Sequence, residues 1–195
     1  MTDATNGDAT YQKTPFEWTN TLTLVEYRDS DHVSLHSVSD VDALIAVVAR
    51  VFEDTVDRAD VATVEELGST EAARRLVNAP PLWRTSYEPE WWQVLHVDDE
   101  VAGFILPVTY DESDGRIGTI FHVGVLPAYR GQGLSRVLLR HTVHALMGAG
   151  VERIFCDTAA NNTPMVRSFE AEGWTRLADR VVPMPHHFVR DRDGH

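Results

Sequence analysis

The chain has 195 residues, the length of a single domain, and its 43% hydrophobic and 24% charged residues are typical of a globular protein. Thirty acidic side chains against seventeen basic ones give a formal net charge of -13. This charge argues against a protein that binds nucleic acid or anionic membranes, because those partners attract basic surfaces. A basic substrate, such as an amine, would instead be attracted.

Cysteine usage and hydropathy indicate a cytoplasmic protein. The single cysteine, Cys156, excludes an intramolecular disulfide and is typical of a reducing compartment. Residues 1–20 are polar and lack the apolar core of a secretory signal peptide. The longest apolar-rich stretch, residues 43–52, contains Arg50 and is too short to cross a bilayer.

The first half of the chain predicts a leader, two short strands and two helices. Residues 1–20, whose first part is rich in Thr, Asp, Asn and Ala, are expected to form a disordered leader before a single domain over 21–195. Alternating apolar and polar residues over 22–26 and 33–37 predict two strands. A helical face over 41–52 follows a capping residue, Ser39 or Asp40. A second, highly charged helix over 61–77 is expected to be interrupted near Gly68.

The second half predicts an antiparallel meander followed by alternating helices and strands. The meander strands are residues 91–97, 101–110 and 116–125. The elements after the meander are a glycine-bearing loop over 129–133, a helix over 134–147, a strand over 153–157, a helix over 164–172 capped by Asn162, and a closing hairpin of strands 174–177 and 181–189.

The loop before the third helix is suited to binding a phosphate. Gly131 and Gly133 leave backbone N–H groups unobstructed, and the start of the helix adds unpaired N–H groups and a partial positive charge. Arg130 and Arg136 can add charge-assisted contacts. Two familiar phosphate motifs are absent: the chain has no Gly-x-x-x-x-Gly-Lys-Ser/Thr, and Arg136 stands where the dinucleotide fingerprint requires its third glycine.

The motif Arg130-x-x-Gly133-x-Ser135, preceded by Val125-x-Pro127, resembles the acyl-CoA loop of the GNAT acetyltransferases. The family pattern is Arg/Gln-x-x-Gly-x-Gly/Ala, and Ser135 departs from it only by another small residue. The resemblance extends over about residues 101–174. After the motif helix come the strand over 154–157 and then Asn162, Met165, Phe169 and Gly173-Trp174, which are similar to the family's Asn-x-x-Ala-x-x-Leu-Tyr-x-x-x-Gly-Phe helix.

The resemblance implies a fold and a co-substrate. The fold is a single α/β domain with a mixed, mostly antiparallel sheet flanked by helices on both faces. The co-substrate is acetyl-CoA, lying between two strands that splay apart, with no metal involved. The implied acetyl-CoA contacts are Val123, Gly124 and Val125 for the thioester and pantetheine, Gly131, Gln132, Gly133, Leu134, Ser135 and Arg136 for the pyrophosphate together with Arg130, and Asn162 for the cofactor arm.

The catalytic groups are less well defined. Direct attack by an amine needs a base for the ammonium proton and an acid for the thiolate. The family's usual acid is a Tyr where this chain has Phe169, which has no proton to give. Asp157 matches a strand position where some members place a glutamate base. His122 has a suitable intrinsic pKa, but strand alternation directs it away from the usual face unless a bulge intervenes. Thr119 has the better parity but is no base.

We therefore expect an acetyl-CoA-dependent N-acetyltransferase that acts on a primary amine of a small molecule. A protein N-terminus or a lysine is the alternative acceptor. A second alternative is a module that binds acyl-CoA without catalysis, which the phenylalanine at position 169 favours. Nucleic-acid and membrane partners are not expected, and the family resemblance makes a homodimer an open alternative.

Overall fold

The computed structural model describes residues 10–19, 32–79, 85–112 and 115–183. The strands are β1 (Thr10–Thr19), β2 (Val33–Ser37), β3 (Gln93–Val97), β4 (Glu100–Glu112), β5 (Gly115–Val125), β6 (Arg153–Ala159), β7 (Thr175–Arg176) and β8 (Arg180–Pro183). The helices are α1 (Val41–Phe52), α2 (Arg58–Leu67), α3 (Ser69–Asn78), α4 (Leu134–Gly148) and α5 (Thr163–Ala171), with short 3₁₀ turns at Pro89–Trp91 and Pro127–Tyr129. The strand predicted over 22–26 lies outside the described residues.

The strands of the described residues form one mixed sheet in the order β2-β3-β4-β5-β6-β1-β7, with β8 also paired to β1. All pairs are antiparallel except β5 with β6. Helices α1 and α4 cover opposite faces: a Cβ on Gly124 would meet Val51 of α1, while the neighbouring Val123 packs in the cluster of Leu134 and Leu138 of α4. The predicted fold class, a mostly antiparallel sheet with helices on both faces, is thereby confirmed.

The helices begin and end where their local sequence dictates. Asp40 caps α1 by accepting hydrogen bonds from the backbone N–H groups of Asp42 and Ala43, as the sequence predicted. The predicted interruption of the second helix is also confirmed, because Gly68, at φ +78°, separates α2 from α3. Glycine adopts this left-handed conformation without the Cβ clash of other residues. Helix α2 begins earlier than predicted, at Arg58, because Asp57 caps it.

The prediction of a disordered leader over 1–20 is wrong for Thr10–Thr19, which form β1. This strand pairs with β6 on one side and with β7 and β8 on the other. Its Phe16 and Trp18 are almost completely buried. The sequence reasoning missed this strand because its hydrogen-bond partners lie far along the chain: Lys13, for instance, pairs with Ala159. Residues 1–9 and 20 lie outside the described part.

The predicted closing hairpin is also wrong. Among the described residues, β7 and β8 do not pair with each other. Instead, β7 pairs with Phe16 and Glu17 of β1, and β8 pairs with the beginning of β1. Because β7 and β8 each form backbone hydrogen bonds with β1, they do not need each other as hairpin partners. The predicted part of that hairpin beyond Pro183 lies outside the described residues.

Candidate active site

The sheet opens between β5 and β6. These two parallel strands pair only at Gly118 and Ile154. Beyond this point β5 stays paired with β4, and β6 stays paired with β1. The backbone groups on the β6 side of Val123–Val125 therefore have no ladder partner. A cleft of about 1800 Å³ extends from this opening between the α4 loop and the start of α2.

The predicted phosphate loop lies at one end of the cleft. Gly131 and Gly133 adopt φ of +77° and +78°, and a Cβ at either position would meet open space. Gly133 is the N-cap residue of α4 and gives the helix no side-chain capping bond. The first N–H groups of α4 are thus available to an anion, as expected of this loop. Ser135 faces α5, where its Oγ lies 2.7 Å from the Oγ of Ser168.

The two arginines of the motif are already engaged. Arg130 donates to the carboxylate of Asp54 at 2.6 Å, to the Asp54 carbonyl at 3.0 Å and to the Val125 carbonyl at 3.1 Å. Arg136 pairs with Glu172 at 2.5 Å, and Arg140 binds the same carboxylate. These guanidinium groups therefore tie the loop to its neighbours. Arg167, which sequence reasoning missed, lines the cleft from α5 and has no carboxylate partner among the described residues.

Helix α5 contributes two of the residues singled out by the sequence. Asn162 caps it, as predicted: its Oδ1 accepts a hydrogen bond from the backbone N–H of Met165 at 3.3 Å. Phe169 lies at the cleft wall, is buried, and stacks on Phe16 of β1 with ring centroids 4.5 Å apart. Phe169 therefore has a packing role that joins α5 to the sheet.

A β-bulge brings His122 and Thr119 to one face of β5. The β4–β5 register shifts between Leu106 and Pro107, so that His122 pairs with Leu106 and Thr119 with Val108. Because Leu106 and Val108 are two residues apart on β4, His122 and Thr119 lie on the same face. The register does not shift between His122 and Val125, so alternation holds there and His122 faces away from Val125. That face is nevertheless the one on which Asp60 and the cleft lie.

His122 meets a carboxylate that sequence reasoning did not assign to it. Its Nε2 lies 3.2 Å from Oδ2 of Asp60, near the start of α2, and its ring packs against Phe52 and Phe104. Nδ1 is buried with no hydrogen-bond partner among the described residues. The side chains of His122 and Asp60 are 19% and 18% exposed.

Electrostatics favour the protonated form of this histidine. Burial opposes the imidazolium charge, but Asp60 and the nearby Asp57 outweigh it and raise the pKa of His122 above its ordinary 6.5. Asp57 itself is partly buried, and that burial together with Asp60 raises the pKa of its carboxyl group. This end of the cleft therefore carries concentrated negative charge.

Asp157 is held by two cations. Its Oδ1 lies 2.7 Å from Nζ of Lys13, and its Oδ2 lies 2.5 Å from the guanidinium of Arg180. Both oxygens are thus committed to partners on β1 and β8. Asp157 and His122, the two candidate bases, line the same cleft. Asp157 pairs with two cations, whereas His122 pairs with the carboxylate of Asp60.

Besides Arg167, the sequence reasoning missed cleft residues on β1 and α2. Lys13 and Tyr11 come from β1, the strand mistaken for a leader, and Asp60 lies near the start of α2. The available signal for β1 was the alternation of apolar Phe16 and Trp18 with polar Glu17 and Thr19.

In the part of the chain described, no group of three or more His, Cys, Asp or Glu side chains could hold a metal ion. No described helix is both long and apolar enough to span a membrane.

The opened sheet, the glycine loop at the start of α4 and the following strand and helix agree with one family. The sequence pattern of the Acetyltransferase (GNAT) family matches residues 42–174. The chain belongs to the GNAT acetyltransferase family.

Curated relatives share this part of the chain. Mycothiol acetyltransferase of Catenulispora acidiphila is 30% identical over 99 residues, which is 49% of this chain and 32% of that protein. [Ribosomal protein bS18]-alanine N-acetyltransferase of Salmonella typhimurium is 31% identical over 87 residues, 44% of this chain and 55% of that protein. The chain thus matches only a third to about half of these relatives' length.

Solved structures share the fold. A tandem GNAT protein from the clavulanic acid biosynthesis pathway superposes with a TM-score of 0.60 at 14% identity, over 90% of this chain and 54% of that one. A GCN5-related N-acetyltransferase from Sphaerobacter thermophilus superposes with a TM-score of 0.55 at 17% identity, over 87% of this chain and 50% of that one. At these identities the likeness concerns the fold alone.

Proposed function

We propose that this GNAT protein transfers the acetyl group of acetyl-CoA to a primary amine of a small molecule. One observation carries the proposal. The opening of the sheet beyond Gly118 and Ile154 joins the glycine loop of α4 to the His122–Asp60 pair within a single cleft. If the CoA portion binds at the loop, the thioester would thus lie near a proton acceptor in the same cleft.

The unpaired backbone of the opening supports the acetyl-CoA contacts. Acetyl-CoA supplies an electrophilic thioester. The backbone groups of Val123–Val125 that point into the opening suit its carbonyl and amide-containing arm. The N–H groups from Gly131 to Ser135, including Gln132 and Leu134, suit the pyrophosphate, and the exposed Arg167 adds a cation. Asn162 keeps an amide nitrogen for the arm, because its oxygen caps α5.

We assign the base to His122. The amine reaches the enzyme as an ammonium ion, and a positioned base must remove one proton before its lone pair can attack. His122 accepts that proton, and the Asp60 carboxylate stabilises the resulting imidazolium. Asp157 is the weaker candidate, because Lys13 and Arg180 occupy both of its oxygens. Phe169 offers no proton, so CoA departs as the thiolate anion and takes its proton from water.

Two other functions rest on specific observations. The phenylalanine at position 169 favours a module that binds acyl-CoA without catalysis. The likeness to the Salmonella enzyme favours a protein N-terminus as the acceptor. The intact loop and the His122–Asp60 pair in the same cleft favour catalysis over binding alone.

Thermal unfolding with saturating acetyl-CoA, CoA or NAD tests the cofactor assignment. A ligand at about 100 times its Kd adds about 2.7 kcal/mol to the free energy of unfolding. We expect acetyl-CoA and CoA, but not NAD, to raise Tm. Release of CoA thiol on a panel of small amines and peptides then tests transfer. A Tm shift without thiol release on any amine or peptide would favour the binding module, and no shift with either CoA species would refute the proposed function.

A further inference from the structure

The cleft carries opposite charges on its two sides. At the start of α2, Asp60 pairs with His122, and the charges of Lys13 and His122 both oppose the rise in the pKa of Asp57. Across the cleft, Lys13 shares the carboxylate of Asp157 with Arg180, a second permanent cation that lies outside the cleft lining. The first side therefore has excess negative charge, and the second side has excess positive charge.

Lys13 is the cation best placed to meet a ligand. It lines the cleft, and its side chain is 22% exposed. An ammonium group has three N–H donors, of which one goes to Asp157 and a second can go to the Tyr11 hydroxyl. The described residues offer it no second carboxylate within ion-pair distance. One donor thus remains for an external acceptor.

Lys13 stays protonated, and its charge affects the titration of His122. Burial opposes its charge, but Asp157 outweighs burial and raises the pKa of the ammonium well above its usual range. Lys13 in turn opposes the rise in the pKa of His122. Because Lys13, His122 and Asp60 line one cleft, a single ligand can face both sides.

Lysine is used at one position only in this chain. All sixteen other basic residues are arginine, and the lone lysine lies in the cleft. A lysine ammonium is a compact point charge, and burying one is unfavourable unless anions surround it. Here Asp157 compensates the burial, and the remaining N–H donor of this compact cation suits the binding of an anionic group.

We infer that the amine acceptor also carries an anionic group, a carboxylate or a phosphate, which Lys13 binds while the amino group lies beside His122 and Asp60. This inference rests on the proposed transfer reaction and names its substrate class. It favours amino-acid-like molecules over plain amines. It also disfavours a protein N-terminus, whose neighbouring carboxyl is an uncharged peptide group.

Matched substrates test the inference. Acetylation rates are measured for the protein amino acids, their methyl esters and their decarboxylated amines, and for O-phosphoethanolamine against ethanolamine. We expect at least one anionic amine to exceed its neutral counterpart about tenfold or more in kcat/KM, as a charge-assisted hydrogen bond allows. The series that shows the preference identifies the anion. Equal or faster reaction of the neutral counterparts throughout would overturn the inference and leave the transferase function standing.

Substitution of Lys13 links the preference to this residue. Lys13→Met keeps the side-chain length without the charge, and we expect it to reduce the anionic preference to less than about threefold. Lys13→Arg, which keeps the charge, should retain a preference. The ratio of the two rates is informative because a general loss of folding would lower both alike. An unchanged ratio in Lys13→Met would overturn the assignment.

A binding measurement separates this inference from catalysis. Because the chain has one lysine, protein labelled with ¹³C-lysine gives a single set of lysine NMR signals. In the presence of CoA, anionic amines should shift the Lys13 Cε signal saturably, and their neutral counterparts should not. This shift without any turnover would refute the transferase function and retain the anion site. Absence of the shift with every anionic amine would refute the anion site.

Discussion

His122 on β5 and Asp60 on α2 are 62 positions apart in the chain, yet Nε2 of the imidazole lies 3.2 Å from the carboxylate. The contact depends on the alternation of β5, which directs His122 away from Val125, and on Asp57, which caps the helix that presents Asp60. Both residues of the pair line the cleft that extends from the opened sheet. Its charge balance and the anion site at Lys13 together define the chemistry we expect of the substrate.

Removal of the imidazole should stop proton transfer. We expect His122→Gln to lower kcat/KM by about 10²-fold or more, as for loss of a general base. The measurement is CoA thiol release with the best amine, and His36→Gln on the exposed part of β2 is the matched control. The increase in Tm with acetyl-CoA should remain. Activity near that of the control would eliminate His122 as the base.

The pH dependence of activity should report the His122–Asp60 pair. A base acts only when unprotonated, so kcat/KM should rise with pH through an apparent pKa above the ordinary 6.5 of histidine. Asp60→Asn removes the charge that favours the imidazolium, so the rise should move to lower pH. Profiles of kcat/KM from pH 5 to 9 for both proteins check this. Coincident profiles would show that Asp60 does not control the titrating group.

Asp157 should matter more for stability than for chemistry. Asp157→Asn leaves Lys13 and Arg180 facing each other without their shared carboxylate, and we expect the free energy of unfolding to fall by about 1–3 kcal/mol. Activity of the folded variant should stay within about tenfold of wild type. Denaturant unfolding and steady-state rates measure the two effects. A folded Asp157→Asn protein with a loss of 10²-fold or more would instead identify Asp157 as the base.

The glycine loop can be tested at Gly133. A valine there must adopt the left-handed φ of +78°, at a cost of about 1–2 kcal/mol, and its side chain would stand in front of the N–H groups of α4. We expect Gly133→Val to weaken acetyl-CoA binding at least tenfold by calorimetry. Gly148→Ala at the other end of α4 is the matched control, since that glycine is helical and faces open space. Equal affinities for the two variants would exclude the loop from binding.

Strand β1 should contribute strongly to stability. Phe16→Ala removes a buried ring stacked on Phe169, and we expect a loss of about 3–5 kcal/mol. Gln12→Ala, on an exposed position of the same strand, should be nearly neutral. Chemical denaturation of both variants provides the comparison. A neutral Phe16→Ala would mean that Thr10–Thr19 are not part of the folded sheet.

The structural features that could be predicted from the sequence are those that depend on neighbouring residues along the chain. The meander of β3, β4 and β5, the capped helix α1, and the loop that opens α4 all follow from short-range spacing, turn residues and capping. The same local pattern identified the family. These features are legible because their partners lie within a few residues, so periodicity and turn chemistry specify them.

The tertiary structure was needed to show which residues share the cleft. Lys13 pairs with Asp157 across 144 positions, and nothing near Lys13 in the sequence indicates that contact. Likewise, alternation along β5 predicts that His122 faces away from Val125, but only the packing of α2 shows that Asp60 meets the ring on that face. Strand pairing between distant segments therefore set the charges of the site, because long-range hydrogen bonds and burial leave little trace in local composition.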